Sequence, residues 1–179
     1  MIRAIAALVL ASASAHSPAT LNSNAPWWER VTVTVSDDGQ TRSCRYETSI
    51  RPEAAKDCSV VSSEGALAKN ASSSSGAKDE VTRITFERRY SPSAKPDLDS
   101  LQPGETLLGG QVMALAIDGA GAVKHCQIVA RSGSVTPQYG CVEATGEHFE
   151  ANAASMHARV PARQGYLSIL VYGHSEHVV

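Results

Sequence analysis

Four cysteines are the residues of this 179-residue chain whose type and spacing most clearly imply chemistry. They are Cys44, Cys58, Cys126 and Cys141, and none of them forms the CxxC spacing typical of zinc ligands. In an oxidising compartment, four cysteines can form disulfides in three connectivities. The spacing favours local pairs, Cys44 with Cys58 and Cys126 with Cys141. Each pair would close a loop of about 15 residues and stabilise the fold by roughly 3 kcal/mol.

Two arrangements of histidine could bind a metal ion. His174 and His177 flank Glu176 near the C-terminus, but two ligands in a terminal tail make a poor site. His16, as a mature N-terminus, could chelate copper through its amine and ring, although this chemistry needs a second fixed histidine. A solvated tail and a flexible lead-in explain these residues more simply. We therefore predict no metal and no cofactor, with a metal-binding periplasmic protein as an alternative function.

Motifs for catalysis are missing from the sequence. There is no G-x-S-x-G nucleophile motif, and the serine run Ser72–Ser75 has the composition of a loop. The Asp37–Gly39 stretch lacks the downstream glutamate of a calcium loop, so it predicts a turn. The formal charge of −2 gives no electrostatic reason to expect nucleic acid as a partner. We expect a protein that is not an enzyme and has no catalytic residues.

The first fifteen residues, MIRAIAALVLASASA, have the pattern of a signal peptide. A short apolar run follows Arg3 and ends in the small residues Ala13-Ser14-Ala15, which predicts cleavage after Ala15. The run is shorter than the roughly 20 residues of a membrane-spanning helix. We expect a periplasmic or secreted bacterial protein with no integral membrane span after cleavage. Retention of the segment as an N-terminal anchor is the alternative.

The remaining chain divides into two similar halves. After a flexible lead (16–26), a first module is expected over 27–90, a Pro-rich linker over 91–107, and a second module with a C-terminal tail over 108–179. Gly39 and Gly121 are separated by the same number of residues as Cys44 and Cys126. This shared spacing favours an internal duplication.

Each half shows the same order of predicted elements: strand, tight turn, strand with a cysteine, helix with a cysteine, loop and strand. Alternating apolar residues over 31–35 and 113–117 predict the first strand of each half. Helices are predicted over 52–61, beginning near Pro52, and over 136–149, with Thr136 as N-cap. The expected fold class is α+β, with two small strand-strand-helix-strand modules and one local disulfide in each.

The second half resembles the C-terminal domain of the TonB energy-transducer family over Leu108–Val171. The resemblance is carried by ALAIDGAGAVKHCQIVARSG, TPQYGCVEATGEHFE and GYLSILVYG, in which five residues occupy the family's turn, strand-end and helix-end positions: Asp118, Gly121, Ser132, Gly133 and Phe149. Relatives that carry the strand and helix cysteines match Cys126 and Cys141. Trp27–Tyr90 resembles the family only as a degenerate copy.

The resemblance implies a binding mode. Domains of this family recruit an extended peptide as an added strand, and the final strand was the expected exposed or semi-exposed edge, with Tyr166, Ser168, Leu170 and Tyr172 as partner-binding residues. The sequence thus predicts binding of a protein or extended peptide at the cell envelope. A membrane-anchored TonB-type transducer of outer-membrane transport is the alternative, and self-association through open edges is also compatible with the sequence.

Two further features belong to the first half. The pair Trp27–Trp28 opens a strand and is expected to cover the end of a small core rather than to anchor a ligand. Basic residues gather at its last strand: Lys78, Arg83, Arg88 and Arg89. Charges of this kind protect the edge of a sheet against pairing, so the first module is not expected to bind by strand addition.

Overall fold

The computed structural model describes residues 20–36, 40–58, 80–98, 104–151 and 161–177. Predictions for the signal peptide, the Asp37–Gly39 turn, the serine-rich loop and the centre of the linker lie outside these residues. The strands are β1 (Trp27–Ser36), β2 (Thr41–Thr48), β3 (Lys56–Asp57), β4 (Glu80–Pro92), β5 (Thr106–Ile117), β6 (Val123–Gly133) and β7 (Arg163–His177). A 3-10 turn spans Pro52–Ala54, and one helix, α1, spans Cys141–Thr145.

The strands form one antiparallel sheet in the order β3-β2-β1-β4-β7-β5-β6. In each half, the first strand lies between the second strand and the last strand: the order is β2-β1-β4 in the first half and β6-β5-β7 in the second. The last strands of the two halves, β4 and β7, pair with each other at the centre of the sheet, from Glu80–His177 to Pro92–Gly165. The two halves therefore share one sheet.

One face of this sheet carries the main core. Met113, Leu115 and Ile117 of β5 are at most 1% exposed, and they lie in one cluster with Leu167 of β7. The ring of Trp27 stacks on Tyr90, with 5.6 Å between their centroids, which places this tryptophan in the core. The described part of the lead, 20–26, also packs here, because Leu21 is 3% exposed and its N–H bonds to the carbonyl of His148.

The predicted fold class, α+β with two strand-strand-helix-strand modules, is wrong. In the first half, the predicted helix over 52–61 is replaced by the 3-10 turn and β3, which pairs with β2. In the second half the helix has five residues instead of the predicted fourteen over 136–149. Gly140 and Gly146 flank it, and glycine disfavours helix extension. Phe149 is instead held in a bridge with Leu21.

The two disulfides predicted from cysteine spacing are confirmed. Cys44 of β2 bonds to Cys58, with 5.0 Å between their Cα atoms. Cys126 of β6 bonds to Cys141 at the start of α1, with a Cα separation of 5.5 Å. Each disulfide links the second strand of its half to the segment that follows this strand in the sequence. β2 and β6, the two strands involved, occupy equivalent positions in the two halves of the sheet. Disulfides of this kind are compatible with an extracellular or periplasmic protein.

Candidate functional site

The predicted partner-binding strand lies inside the sheet. β7 pairs with β4 on one side and with β5 on the other. Ser168, Leu170 and Tyr172 are only 1%, 2% and 4% exposed, and Tyr166 is half-buried. The prediction of an exposed or semi-exposed edge at these four residues is therefore wrong. Alternation identifies a strand but not its neighbours, and here β4 occupies the side that a peptide would need.

The residues that carry the family resemblance all lie around the β5–β6 turn and the far end of this hairpin. The carboxylate of Asp118 accepts hydrogen bonds from the N–H groups of Ala120 and Ala122, both at 2.9 Å, which lowers the pKa of this carboxyl. Gly121 has a φ of +88°, and a Cβ there would lie 1.9 Å from the carbonyl oxygen of Phe149. These contacts fix the conformation of the turn, so the role of Asp118 and Gly121 is structural.

At the other end of β5 and β6, Ser132 pairs with Gly110, and Gly133 has a φ of +76°. A Cβ at Gly133 would lie 2.4 Å from the carbonyl oxygen of Leu108. The Ser-Gly pair therefore allows the chain to turn sharply at the end of β6. After this turn, the N–H groups of Ser134 and Val135 donate hydrogen bonds to the carbonyl oxygen of Leu108 on β5.

A partly buried ionic cluster joins the two halves on the core face. The guanidinium of Arg88 on β4 donates hydrogen bonds to the carboxylates of Glu29 on β1 and Glu147 after α1. It also lies over the rings of Trp27 and Tyr139, at 5.2 and 5.5 Å from their centroids. Arg88 was predicted to protect a sheet edge, together with Arg83 and Arg89. That prediction is wrong, because β4 is flanked by β1 and β7.

The protonation states of this cluster follow from its contacts. Burial lowers the pKa of Arg88, but the charges of Glu29 and Glu147 outweigh this effect and leave it above its ordinary value. Burial and a 2.8 Å hydrogen bond to Glu29 raise the pKa of Tyr46 to about 12. Burial and a 2.6 Å bond to Glu147 likewise raise the pKa of Tyr139. Both phenols thus stay protonated and donate hydrogen bonds to carboxylates at neutral pH. The cluster joins residues of the two halves.

The opposite face of the sheet carries a polar groove across β2, β1, β4 and β7. Three rows of residues face one another there by strand register. The first row is Ser43, Thr34, Arg83 and His174; the second is Arg45, Thr32, Thr85 and Tyr172; the third is Glu47, Arg30, Glu87 and Leu170. All of these except Glu87 and Leu170 line a cavity of about 570 Å³, to which Glu105 also contributes.

The concave shape of this polar groove follows from side-chain length. Thr32 and Thr85 lie side by side at its centre, and their hydroxyls are 3.3 Å apart. Arg45 lies beside Thr32 in the same row, and Arg83 lies in the next row, on the same strand as Thr85. Long side chains around short ones leave a depression over the threonine pair, with guanidinium groups at its rim.

The charges in the polar groove are partly paired. The Nε of Arg30 donates to Glu47 at 2.9 Å, and Arg45 approaches the same carboxylate at 3.4 Å. The bond from Arg30 lowers the pKa of Glu47. Beneath the rim, Glu87 is 4% exposed and accepts a 2.5 Å hydrogen bond from the hydroxyl of Tyr172. Burial and this bond raise the pKa of Tyr172, so its hydroxyl remains a donor at neutral pH.

Among the strands that the structure describes, β6 is paired on one side only, which makes it the open edge of the sheet. It is the outermost strand beside β5, and its eleven residues are mostly exposed or half-buried. It carries Lys124, His125 and Arg131 and no acidic residue. Val129 is 37% exposed, and Val142 on the neighbouring helix α1 is 84% exposed. The opposite edge is different, because β3 covers the centre of β2.

Two bulges interrupt the pairing of β6 with β5. Register shifts leave Val129 and Lys124 as extra residues on β6. Bulges and cationic side chains on an outer strand limit indiscriminate pairing with other chains. Between the bulges, residues 125–128 keep a regular register against 113–116.

Metal binding and membrane insertion each place definite demands on the described residues. No group of three or more His, Cys, Asp or Glu residues in this part of the chain is arranged to hold a metal ion. His174 contributes to the polar groove instead, with its Nδ1 2.7 Å from the carbonyl oxygen of Gly104. Within the same described ranges, none of the helices has the length and apolar character needed to cross a bilayer.

The polar groove was missed by the sequence reasoning, although one signal for it was present. The alternation over 31–35 that predicts β1 also places Thr32 and Thr34 together on the polar face of that strand. The residues opposite them on β2 and β4 could not be assigned without the strand order.

Comparisons with known proteins return no match: no family model, no curated protein and no solved structure matches the chain. The resemblance to the TonB C-terminal domain therefore remains a prediction supported by the quoted motifs alone.

Proposed function

We propose that this protein is an exported, non-enzymatic binding protein of the bacterial cell envelope that recognises an extended acidic segment of a partner protein along β6. One observation carries the proposal: β6 is an outer strand with exposed apolar and cationic side chains and no acidic ones. Main-chain hydrogen bonds to such an edge provide affinity, and side chains provide specificity.

The bulges set the length of the recognised segment. A partner strand can pair regularly with residues 125–128 before it meets Lys124 on one side or Val129 on the other. On the order of four backbone hydrogen bonds at about 1 kcal/mol each would form. A total near 4 kcal/mol is about the size of the entropy cost of association, so these backbone bonds alone give only weak binding. Charge pairing with Arg131 and apolar contact with Val129 would tighten this weak, short-segment recognition.

The charge of β6 also favours a foreign segment over a second copy of the chain. Antiparallel pairing of two β6 strands would bring the cations of one copy, Lys124 and Arg131, close to those of the other. Like charges facing each other across strands are destabilising. An acidic partner removes this repulsion.

The binding test uses a fluorescein-labelled hexapeptide of alternating valine and glutamate, with fluorescence polarisation as the readout. We expect saturable binding that weakens at least fivefold in Arg131→Glu and with rising salt. Arg51→Glu makes the same charge change at an exposed site beyond β2 and should leave binding unchanged. The hexapeptide of alternating valine and lysine should not bind. Equal binding of both peptides, or equal loss in both variants, would contradict the proposal.

Export is supported by the signal-peptide pattern and by two disulfides. Sequencing the N-terminus of the protein purified from its native cell tests it. A mature chain that begins at His16 is expected. A chain that retains Met1 and fractionates with membranes would favour an anchored protein instead.

A further inference from the structure

We propose that the polar groove binds a small, hydroxylated carboxylate of the sugar-acid class, at a site distinct from β6. The groove lies across β2, β1, β4 and β7, and β5 separates the nearest of these strands, β7, from the open edge at β6. Its volume, about 570 Å³, is within the roughly 300–1,000 Å³ of small-molecule sites.

Charge points to an anionic ligand. The cavity is lined by three arginines, Arg30, Arg45 and Arg83, against two glutamates, Glu47 and Glu105. The planar guanidinium group matches the geometry of a carboxylate. The side chain of Arg45 is 59% exposed, and its contact with Glu47 is long, at 3.4 Å. Exposed ion pairs of this kind contribute little to stability, so Arg45 can turn toward an incoming anion at small cost.

Strand spacing allows two guanidinium groups to meet one ligand. Arg45 and Arg83 lie two strands apart and one row apart on the same face, which separates their Cα atoms by about 12 Å. Thr32 and Thr34 of β1, the strand between β2 and β4, lie between them. A ligand resting on these two threonines is therefore within reach of both arginine side chains.

The floor of the groove points to hydroxyl groups on the ligand. Ser43, Thr32, Thr34 and Thr85 line the cavity, and each hydroxyl can donate one hydrogen bond and accept others. Tyr172 is 4% exposed, so the face of its phenol ring is not open to a ligand. Carboxylate and hydroxyl groups together define a sugar acid.

Isothermal titration calorimetry of the full chain tests this proposal with four probes. Digalacturonate carries carboxylates and hydroxyls, cellobiose only hydroxyls, succinate only carboxylates, and inorganic phosphate is a simple anion. We expect digalacturonate to bind at least tenfold more tightly than each of the other three. The double variant Arg45→Gln/Arg83→Gln should weaken its binding at least tenfold, whereas Arg51→Gln should not change it.

A second variant keeps the test informative if the double variant is unstable. Thr34→Val preserves shape and strand propensity and removes one hydroxyl, so it should weaken digalacturonate binding while the thermal unfolding midpoint is unchanged. Equal binding of cellobiose would overturn the carboxylate requirement, and equal binding of succinate or phosphate would overturn the sugar-acid assignment. No binding of any probe would overturn the site. Arg131→Glu on β6 should not affect this titration, which separates the two proposals.

Discussion

The partly buried guanidinium of Arg88 yields the sharpest prediction about stability. Its side chain is 22% exposed, and it is bonded to Glu29 and Glu147, whose side chains are 21% and 20% exposed. Replacement Arg88→Met keeps much of the side-chain volume but leaves two partly buried carboxylates without their cation. Breaking a buried ion pair in this way costs about 3–5 kcal/mol. The partial exposure of the cluster places our expectation at the lower end, about 3 kcal/mol.

Urea denaturation followed by circular dichroism measures this loss. With a slope of about 2 kcal/mol per molar urea, a loss of about 3 kcal/mol lowers the unfolding midpoint by about 1.5 M. The matched control is Arg45→Met, which breaks an exposed pair of 3.4 Å and should cost at most about 1 kcal/mol.

A triple variant separates lost charge pairing from lost packing. Adding Glu29→Gln and Glu147→Gln to Arg88→Met removes the uncompensated carboxylates, so part of the lost stability should return. Equal midpoints for Arg88→Met and Arg45→Met would refute the view that this cluster stabilises the joined halves. A triple variant less stable than the single one would refute the electrostatic explanation.

Three further outcomes follow from the same structure. Gly121→Ala should destabilise the fold by about 1–3 kcal/mol, because Gly121 has a positive φ and lies close to Phe149. The control Gly140→Ala should keep the stability of the wild type, because the nearest atom to its Cβ would be 3.6 Å away. Thermal unfolding midpoints of the two variants test this difference. The pKa of Tyr46 is raised to about 12, so its contribution to stability is complete below the unfolded value near 10 and is lost as pH rises from 10 to 12; urea midpoints at pH 9 and 11 should differ less in Tyr46→Phe. Non-reducing peptide mapping should recover two disulfide-linked peptides, one from each half, and a crossed link would contradict the fold.

Local patterns predicted local structure well. The valines of β1 alternate with polar residues, and the strand runs where the alternation placed it. The cysteine spacing also predicted both disulfides, because a bond that closes a short loop depends mainly on nearby residues. The predicted helices were too long or missing. In the second half, α1 ends before Gly146. In the first half, Cys58 follows the short strand β3 and does not lie in a helix.

Features that depend on long-range pairing could not be predicted from the sequence. The edge position of a strand is a property of its neighbours, so an apolar run such as Tyr166–Gly173 predicted a strand but not that β4 would cover it. Arg88 had the sequence context of a surface charge, and only the approach of Glu147 from the other half makes it part of a partly buried cluster. The polar groove likewise arises from side chains on four strands that the sequence does not align.

The most direct test of the proposed function is amide hydrogen exchange along β6 with and without the valine–glutamate hexapeptide. Added strand pairing should slow exchange at residues 125–128 and leave β3, Lys56–Asp57, unchanged. Protection confined to other strands, or no protection at peptide concentrations above the measured dissociation constant, would contradict binding at this edge.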